Sequence, residues 1–369
     1  MNLLLVYGEA SSAQYAGELA AVAHTAGHRV FTIGGSPLPE PATALAQLNS
    51  HHHSVLLGQW RQKYAVRRQV ASAIRQASLR MDRAVILDFP GYNNGIASIL
   101  QRFKIPIITF ITPNFWIWRQ RRAAERIIRY SQAIITIHPQ EYDWYCGLSQ
   151  ERTRVYYWGH PITVNAPLPQ RAIHRELGIF PGSRVGEVTY NLPHMLGVVR
   201  HLPLPQPEVV IRCDHPDLYP VIQAILDRHG MATIPIQPWD ARHTYAALSV
   251  PGTTTLFLAL QQIPMIIMGR IPWHQYIMAR YVLRMRIPYV GLPNIIANRA
   301  LVTEFIQPSR RMIPAIAKAL SPLLSAGTPQ VDTRTPLQAL LKAPDDYYTR
   351  VVEVVVGDAS PQRQCNVVP

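Results

Sequence analysis

Cysteine is rare in this sequence: three residues, Cys146, Cys213 and Cys365, occur among 369. Their odd number and wide spacing argue against a disulfide framework and against a cysteine-based zinc site. Such sparse cysteine usage is typical of a reducing compartment. We therefore expect a cytoplasmic protein.

Long apolar runs and charged residues are also scarce. No stretch approaches the roughly 20 consecutive apolar residues that a membrane-spanning helix needs. The apolar run after Met1 is short and lacks the basic residues that precede the apolar part of a signal peptide. We expect a protein that works in the cytoplasm and touches, at most, the inner face of the cytoplasmic membrane.

The residues that are abundant predict a two-domain protein with anionic partners. Hydrophobic residues make up 48% of the chain, which is enough for two cores of roughly 150 to 200 residues each. The 36 Lys and Arg residues exceed the 22 Asp and Glu residues, and the formal net charge is +14. Nucleic acid, acidic lipid and phosphorylated metabolites all fit this charge, and its sign does not choose among them.

The first 165 residues alternate apolar strands with helical patterns, which predicts a parallel sheet. The candidate strands are 3–7, 29–33, 84–88, 105–111, 133–137 and 154–158. Polar or glycine-containing loops follow most of them, at the strand ends where a doubly wound sheet binds ligands. The three histidines at 51–53 fit a polar loop better than a metal site, since no Cys or carboxylate lies near them at ligand spacing. We predict no metal.

The same alternation resumes after a proline-containing linker at 165–169. We assign residues 1–165 to one domain, 166–345 to a second, and 346–369 to a tail with a helix at 347–356 that crosses back onto the first domain, followed by disorder. In the second domain we predict strands at 208–213 and 247–250 and a helix broken or kinked at Pro193. Further helices are predicted at 218–229, 256–262, 299–307 and 312–324.

Two turns in the second domain have the composition of phosphate-binding turns. Gly182 lets the backbone approach a ligand, Ser183 is a favoured helix N-cap, and Arg184 carries a fork of donors at the positive end of the helix dipole. Gly252 to Thr255 opens another helix. A single turn of this kind fits an ordinary strand-to-helix connection equally well, whereas two turns at one site can hold a diphosphate.

Seven blocks of the sequence, from about residue 3 to about residue 307, resemble in the same order those of the lipid-A-disaccharide synthase family. The blocks are Gly8-Glu9-Ala10-Ser11, Asp88-Phe89-Pro90-Gly91-Tyr92-Asn93, 112–119 with Trp116-Ile117-Trp118-Arg119, Gly159-His160-Pro161, Pro181-Gly182-Ser183-Arg184 with Glu187, Gly252-Thr253 with Thr255-Leu256, and Leu292-Pro293-Asn294 with Arg299 and Glu304. No block is specific alone, but their shared order is.

The resemblance implies an α/β fold of the GT-B type, with two Rossmann-like doubly wound domains facing across a cleft. It implies a hexosyltransferase of lipid A biosynthesis that joins UDP-2,3-diacylglucosamine to 2,3-diacylglucosamine 1-phosphate and releases UDP. The second domain of such an enzyme holds the UDP-sugar and the first holds the acylated acceptor. No cofactor and no metal is implied.

The site residues follow from the matched blocks and the two turns. Candidate catalytic residues are Glu9 and Asp88. Candidate residues for nucleotide-sugar binding are Gly182, Ser183, Arg184, Glu187, Gly252, Thr253, Thr255, Arg270 and Asn294. Candidate acceptor or lipid contacts are Ser11, Asn93, Trp116, Trp118, Arg119 and His160. For Asp88 and Glu9, a structural role, such as capping a strand end, is the alternative.

Three carboxylates of the family pattern are missing here. Ser12-Ala13 follows Ser11 where the family has Gly-Asp, Gly91 replaces the proposed general base, and Phe257 replaces a Glu in the turn that begins at Pro251. A positioned base contributes roughly 10² to 10⁴ in rate. Two alternatives therefore stay open: a divergent GT-B transferase with another donor or acceptor, and a catalytically degenerate relative that binds a lipid or nucleotide.

Two basic segments contain aromatic residues that suit a membrane interface. One runs from Phe115 to Arg122 and continues to Arg126 and Arg129, and the other spans 270–286. A soluble helix with a buried Trp and a solvent-facing Arg row is the alternative. An acylated substrate favours peripheral membrane contact, and no nucleic-acid recognition motif is present. Homo-oligomerisation stays open.

Overall fold

The computed structural model of the chain describes residues 1–8, 10–35, 37–48, 58–77, 80–89, 92–117, 119–149, 153–164, 176–203, 205, 207–240, 243–272, 288–325 and 331–358. The chain divides into two compact units, Met1–Asn165 with Leu341–Pro369, and Ala166–Leu340. The second unit is thus inserted into the sequence of the first. The predicted linker at 165–169, the histidines at 51–53 and most of the basic segment at 270–286 lie outside the described residues.

The first unit contains a seven-stranded parallel sheet. Its strands are β1 (Asn2–Val6), β2 (Arg29–Gly34), β3 (Thr43–Gln47), β4 (Arg83–Leu87), β5 (Ile107–Phe110), β6 (Ser131–Thr136) and β7 (Arg154–Tyr157), and its helices before the insertion are α1 (Ala10–Thr25), α2 (Gly58–Gln76), α3 (Asn93–Arg102), α4 (Arg121–Tyr130) and α5 (Pro139–Ser149). The strand order is β3-β2-β1-β4-β5-β6-β7.

The second unit repeats this architecture with six parallel strands. They are β8 (Glu176–Phe180), β9 (Glu208–Arg212), β10 (Ile236–Gln237), β11 (Thr244–Ser249), β12 (Met265–Gly269) and β13 (Thr303–Ile306), in the order β10-β9-β8-β11-β12-β13. Its helices are α6 (Val185–Arg200), α7 (Tyr219–Arg228), α8 (Thr253–Leu260), α9 (Leu292–Ala297), α10 (Ile313–Leu320) and α11 (Arg334–Leu341).

A last helix, α12 (Tyr347–Val356), completes the first unit. Tyr347 and Val351 are fully buried and belong to the same apolar core as Leu5 and Val85 of the central strands. Gly159, with φ +98°, lies so close to the returning chain that a Cβ there would be 2.5 Å from the carbonyl oxygen of Lys342. The segment that returns to the first unit therefore packs closely against Gly159.

Each sheet reverses its strand order once, between β1 and β4 in the first unit and between β8 and β11 in the second. These central strands are mostly apolar and almost wholly buried, as parallel strands covered on both faces require. In doubly wound sheets, ligands bind outside the carboxyl ends of the strands at such a reversal. The predicted site residues following β4, β8 and β11 come from these strand ends.

Several local predictions were wrong. Residues 299–307 contain the strand β13, which pairs with β12, instead of a helix. Helix α6 continues through Pro193 from Val185 to Arg200, so the predicted break is wrong, while the alternative of a kink stays a prediction. The strands β3, β10 and β12 were not predicted. Cys213 is free and buried.

Candidate active site

The turn after β8, residues 182–184, has the features predicted for an anion site, and we call it the cradle. Gly182 has φ +115°, a left-handed conformation that favours glycine. Arg184 has an extended backbone and is the N-cap of α6, so the cap falls one residue after the predicted Ser183. The cradle therefore lies at the positive end of a 16-residue helix.

Two donors of the cradle converge on one carboxylate, that of Glu187 in the first turn of α6. The backbone N–H of Ser183 donates to Oε2 at 3.0 Å, and Nη1 of Arg184 donates to Oε1 at 2.6 Å. The side chains of Arg184 and Glu187 are 43% and 35% exposed. The donors of the cradle thus hold an oxyanion, the carboxylate of Glu187, at a position that solvent reaches.

The second turn lies beside the first, because β8 and β11 are neighbours and Phe180 is paired with Ser249. Gly252 is the N-cap of α8, and apart from its chain neighbours no atom of the described residues lies within 4 Å of the position that a Cβ would take there. Thr253 is exposed, whereas Thr255 is buried and its hydroxyl donates to the Gly252 carbonyl at 2.7 Å. Thr255 therefore shapes the turn, while Thr253 can face a ligand.

Arg270 follows β12 and is tied to α6. Its backbone N–H donates to Oδ1 of Asn191 at 2.7 Å, and its guanidinium contacts Nε2 of His194 and donates to the Pro308 carbonyl at 2.9 Å. Asn191 in turn donates to the Glu187 carbonyl at 2.8 Å. Two residues, Asn191 and Glu187, thus connect Arg270 to the cradle.

Asn294 is fully buried and uses its whole amide inside the protein. Its nitrogen donates to the Val302 carbonyl and to Oε1 of Glu304 at 2.7 and 2.6 Å, and its oxygen accepts from the backbone N–H groups of Leu301 and Val302. Glu304 also accepts from the N–H groups of Val290 and Gly291. A direct ligand contact by Asn294 would break one of these bonds. We therefore assign Asn294 the role of holding the neighbouring turn in place.

Phe257, the residue that replaces a family Glu, packs in an aromatic cluster. Its ring lies 5.4 Å from that of Trp239 at a nearly perpendicular angle, and Trp239 lies 5.0 Å from Phe180. Trp239 was not among the predicted site residues, because it lies in a loop and no local sequence pattern indicates this contact. The space near α8 that a polar side chain would occupy is thus apolar here.

In the first unit, Asn93 and Asp88 come from the end of β4 and the start of α3. Asn93 is 4% exposed, and neither its amide nitrogen nor its amide oxygen has a hydrogen-bond partner among the described residues. Asp88 is half-buried. Burial raises the pKa of the nearby Tyr145 phenol, and the charge of Asp88 adds a smaller effect in the same direction. Glu9, Gly91, Trp118 and the side chain of Ser11 lie outside the described part of the chain.

Trp116, His138, His160 and Tyr15 form a row of buried rings behind the ends of β5, β6 and β7. Successive ring centroids are 5.4, 5.1 and 6.2 Å apart. Burial lowers the pKa of His138 to about 3, and burial and then the neighbouring His138 lower the pKa of His160 well below its usual value of 6.5. Both imidazoles are neutral near pH 7, and Nδ1 of His160 accepts from the Ile162 N–H at 3.0 Å.

Glu141 is a buried carboxyl that was not among the predicted site residues. It accepts hydrogen bonds from the N–H and hydroxyl of Thr112 and from the N–H groups of Ile137 and His138. Burial raises its pKa from 4.5 to about 7, against the opposing effect of these bonds. Pro139 at the first position of α5 and Glu141 at the third form a helix-start pattern that could have revealed it.

The helix α4 presents a basic face. Ala124, Ile127 and Ile128 are buried on one side, and exposed on the other side are Arg121, Arg122, Arg126 and Arg129. Arg119, just before the helix, is exposed and its guanidinium lies 5.9 Å from the Trp144 ring. The basic segment is thus a solvent-facing row of cations beside an indole.

Among the described residues, no group of three or more His, Cys, Asp and Glu side chains could hold a metal ion. None of the described helices combines the length and the apolar character needed to cross a membrane.

Comparison with known proteins gives a consistent family. The family model described as lipid-A-disaccharide synthetase matches residues 3–343. A lipid-A-disaccharide synthase 2 of Legionella pneumophila (strain Lens) is 29% identical over 60% of this chain and 60% of its own length. A lipid-A-disaccharide synthase of Anaeromyxobacter sp. (strain K) is 31% identical over 63% of this chain and 64% of its own length. The chain thus spans less than two thirds of the length of these curated relatives.

Solved structures share the fold at low sequence identity. The calicheamicin glycosyltransferase CalG4 has a TM-score of 0.59 at 14% identity, covering 98% of this chain and 99% of its own. MnaA of S. aureus, solved with UDP, has a TM-score of 0.64 at 8% identity with the same coverage. The predicted fold class, two parallel-sheet α/β domains of the GT-B type, is confirmed.

Proposed function

Because the chain belongs to the lipid-A-disaccharide synthetase family, we propose that it is a glycosyltransferase of lipid A biosynthesis. It transfers the sugar of UDP-2,3-diacylglucosamine to 2,3-diacylglucosamine 1-phosphate and releases UDP. The donor binds the second unit and the acylated acceptor binds the first. We place the activity in the cytoplasm, at the inner face of the cytoplasmic membrane.

The observation that carries this proposal is the pair of helix-opening turns at the strand-order reversal of the second sheet. The cradle at the start of α6 and the Gly252–Thr253 turn at the start of α8 follow neighbouring strands. Each helix start offers backbone N–H groups and a positive dipole end, which suit an anion. Together they suit the two phosphates of UDP.

The transfer develops negative charge on the leaving diphosphate. The guanidinium of Arg184 and the two helix starts are preorganised to stabilise that charge, which is the main contribution that fixed dipoles and cations make to catalysis. Asp88 at the end of β4 is our candidate base for the acceptor hydroxyl, together with Glu9. His160 is neutral and buried, so we assign it to shaping the acceptor side and not to proton transfer.

An exposed basic face fits a substrate that stays in the membrane. Arg122, Arg126 and Arg129 lie on one side of α4 beyond its buried Ile127 and Ile128. Cations near a bilayer bind anionic head groups, each contributing about 1 kcal/mol. We assign α4 to peripheral membrane contact.

Titration calorimetry with UDP tests the donor site. We expect wild type to bind UDP and Arg184→Ala to bind it about 10- to 100-fold more weakly, because each charge-assisted hydrogen bond contributes about 1.5 to 3 kcal/mol. Arg228→Ala, which removes an exposed arginine from α7 in the same unit, is the matched control and should bind UDP like wild type. Absence of UDP binding by the wild-type chain would reject the proposed donor.

A second candidate function is supported by Phe257. Its ring packs on Trp239, so this position of α8 offers no oxygen that could accept a hydrogen bond from a ribose or sugar hydroxyl. The second candidate function is therefore that of a divergent transferase that uses another donor. Screening UDP- and GDP-sugars with the diacylated acceptor separates the two, since only the divergent enzyme prefers a donor other than UDP-2,3-diacylglucosamine.

A further inference from the structure

We propose that the Glu187 carboxylate is an internal competitor for the cradle, and that a nucleoside diphosphate binds by displacing it. This inference rests on the proposed function, because it concerns the same anion site. The family pattern suggests that Glu187 increases the affinity for the nucleotide-sugar, and we infer the opposite effect. The side chain weakens diphosphate binding, and its removal strengthens it.

The contacts of Glu187 are those expected of a bound anion. One carboxylate oxygen takes the Ser183 N–H at 3.0 Å and the other takes the Arg184 guanidinium at 2.6 Å. The carboxylate also lies over Gly182, since a Cβ there would be 2.6 Å from Oε2. The space that this glycine leaves open is thus filled by the protein's own acid.

A phosphate needs the same donors. A backbone N–H supplies a single hydrogen, so the Ser183 N–H cannot serve the carboxylate and a phosphate oxygen at full strength together. The helix dipole likewise favours whichever anion lies at the N-terminus of α6. Binding of a diphosphate at the cradle therefore requires the carboxylate to leave.

Displacement is feasible because the pair is near the surface. With side chains 43% and 35% exposed, the ion pair is well screened, and exposed pairs contribute little to stability. After displacement, the carboxylate stays on the same helical turn and repels the bound diphosphate. Both effects reduce affinity for a diphosphate, including the released product.

Two other roles for Glu187 predict different outcomes. A purely structural acid would cap α6, as Glu commonly does at the third helical position, and would leave anion affinity unchanged. An acid that positions Arg184 for the ligand would make affinity fall when it is removed. Gln at the same position keeps an oxygen that caps the helix and removes only the charge, so it separates these roles.

The experiment is titration calorimetry of the full chain with inorganic pyrophosphate, UDP and uridine. We expect Glu187→Gln to bind pyrophosphate and UDP about 5- to 20-fold more tightly than wild type, from the lost competition and repulsion, with uridine affinity unchanged. Glu208→Gln, an exposed acid at the start of β9, is the charge-matched control and should change affinity less than about 2-fold. Arg184→Ala should lose pyrophosphate binding.

Unchanged or weaker pyrophosphate binding by Glu187→Gln would overturn the inference, as would absence of pyrophosphate binding by every variant. If Glu187→Gln gains pyrophosphate affinity while no variant binds UDP, the proposed donor is rejected and the role of Glu187 stands. Thermal unfolding checks that the variant is folded. Glu187→Ala, which should also gain affinity, serves if the Gln variant does not fold.

Discussion

At the scale of single residues, Glu141 is a buried titratable group with a consequence for stability. It is 1% exposed and its pKa is raised by burial from 4.5 to about 7. Because the folded state holds this proton more tightly than the unfolded state, the carboxyl stabilises the fold at low pH. That stabilisation is lost as the pH rises from about 4.5 to about 7.

We predict that Glu141→Gln flattens the pH dependence of stability. Between pH 5 and 7.5, the free energy of unfolding of wild type should include a decline of up to about 3 kcal/mol from this group, and the variant should lack it. Denaturant unfolding at a series of pH values measures the difference. Glu353→Gln, at an exposed position of α12, is the control. Parallel curves for wild type and Glu141→Gln would contradict the prediction.

Residues also show which parts of the candidate site could be predicted from sequence. Gly182 and Arg184 carry a local signature, because a turn and a helix start depend on a few consecutive residues. Trp239 and His138 do not, since their importance comes from ring contacts with Phe180, Phe257, Trp116 and His160, which are distant in sequence. Asn294 was predicted from its motif to contact the ligand, but in the structure its amide forms hydrogen bonds with Leu301, Val302 and Glu304.

At the scale of elements, helix α4 has two faces with different tasks. Its apolar face packs against the first unit and its arginines face solvent. A solvated surface helix needs no such row of like charges, because like charges four residues apart destabilise a helix slightly. Among the described residues of α4, Arg121 forms an ion pair with Glu125 at 2.8 Å, whereas Arg129 contacts Glu125 only at its backbone carbonyl.

We predict that replacing Arg122, Arg126 and Arg129 by Gln weakens binding to vesicles containing anionic lipid about 10- to 100-fold, as expected from about 1 kcal/mol per cation. Co-sedimentation with such vesicles gives the measurement. Replacing Arg75, Arg228 and Arg310, which are exposed on other elements, removes the same charge and should have a much smaller effect. Equal losses for the two triple variants would show that net charge alone is responsible.

The strands differ in how well local sequence patterns predict them. Central strands such as β1 and β4 are apolar at nearly every position, so composition reveals them. Strand β13, with Glu304 and Thr303 in a mixed polar sequence, exists because it pairs with β12 and because Glu304 accepts bonds from the turn at 290–291. Tertiary pairing of this kind overrides local propensity.

At the scale of the whole molecule, the first unit depends on residues from both ends of the chain. Helix α12 contributes Tyr347, Val351, Val352 and Val355 to the core around α1 and the central strands. Each fully buried side chain of this size contributes about 1.5 to 3 kcal/mol. The sum is comparable to the whole stability of a typical domain, about 5 to 15 kcal/mol.

We predict that deleting residues 344–369 unfolds the first unit and leaves the second folded. Hydrogen exchange followed by mass spectrometry should show β1 and β4 losing protection while β8 and β11 keep it. A chain ending at Asp358, which retains α12, is the control and should protect both sheets. Retained protection of β1 in the shorter chain would contradict the prediction.

The nested order of the two units also bears on synthesis. The 175 residues of Ala166–Leu340 leave the ribosome between β7 and α12. At about 5 to 20 residues per second, this interval lasts roughly 10 to 35 s. During that time the apolar surface that Tyr347 later covers is open to chaperones and to other nascent chains, so the protein's yield in cells depends on how translation proceeds through its inserted half.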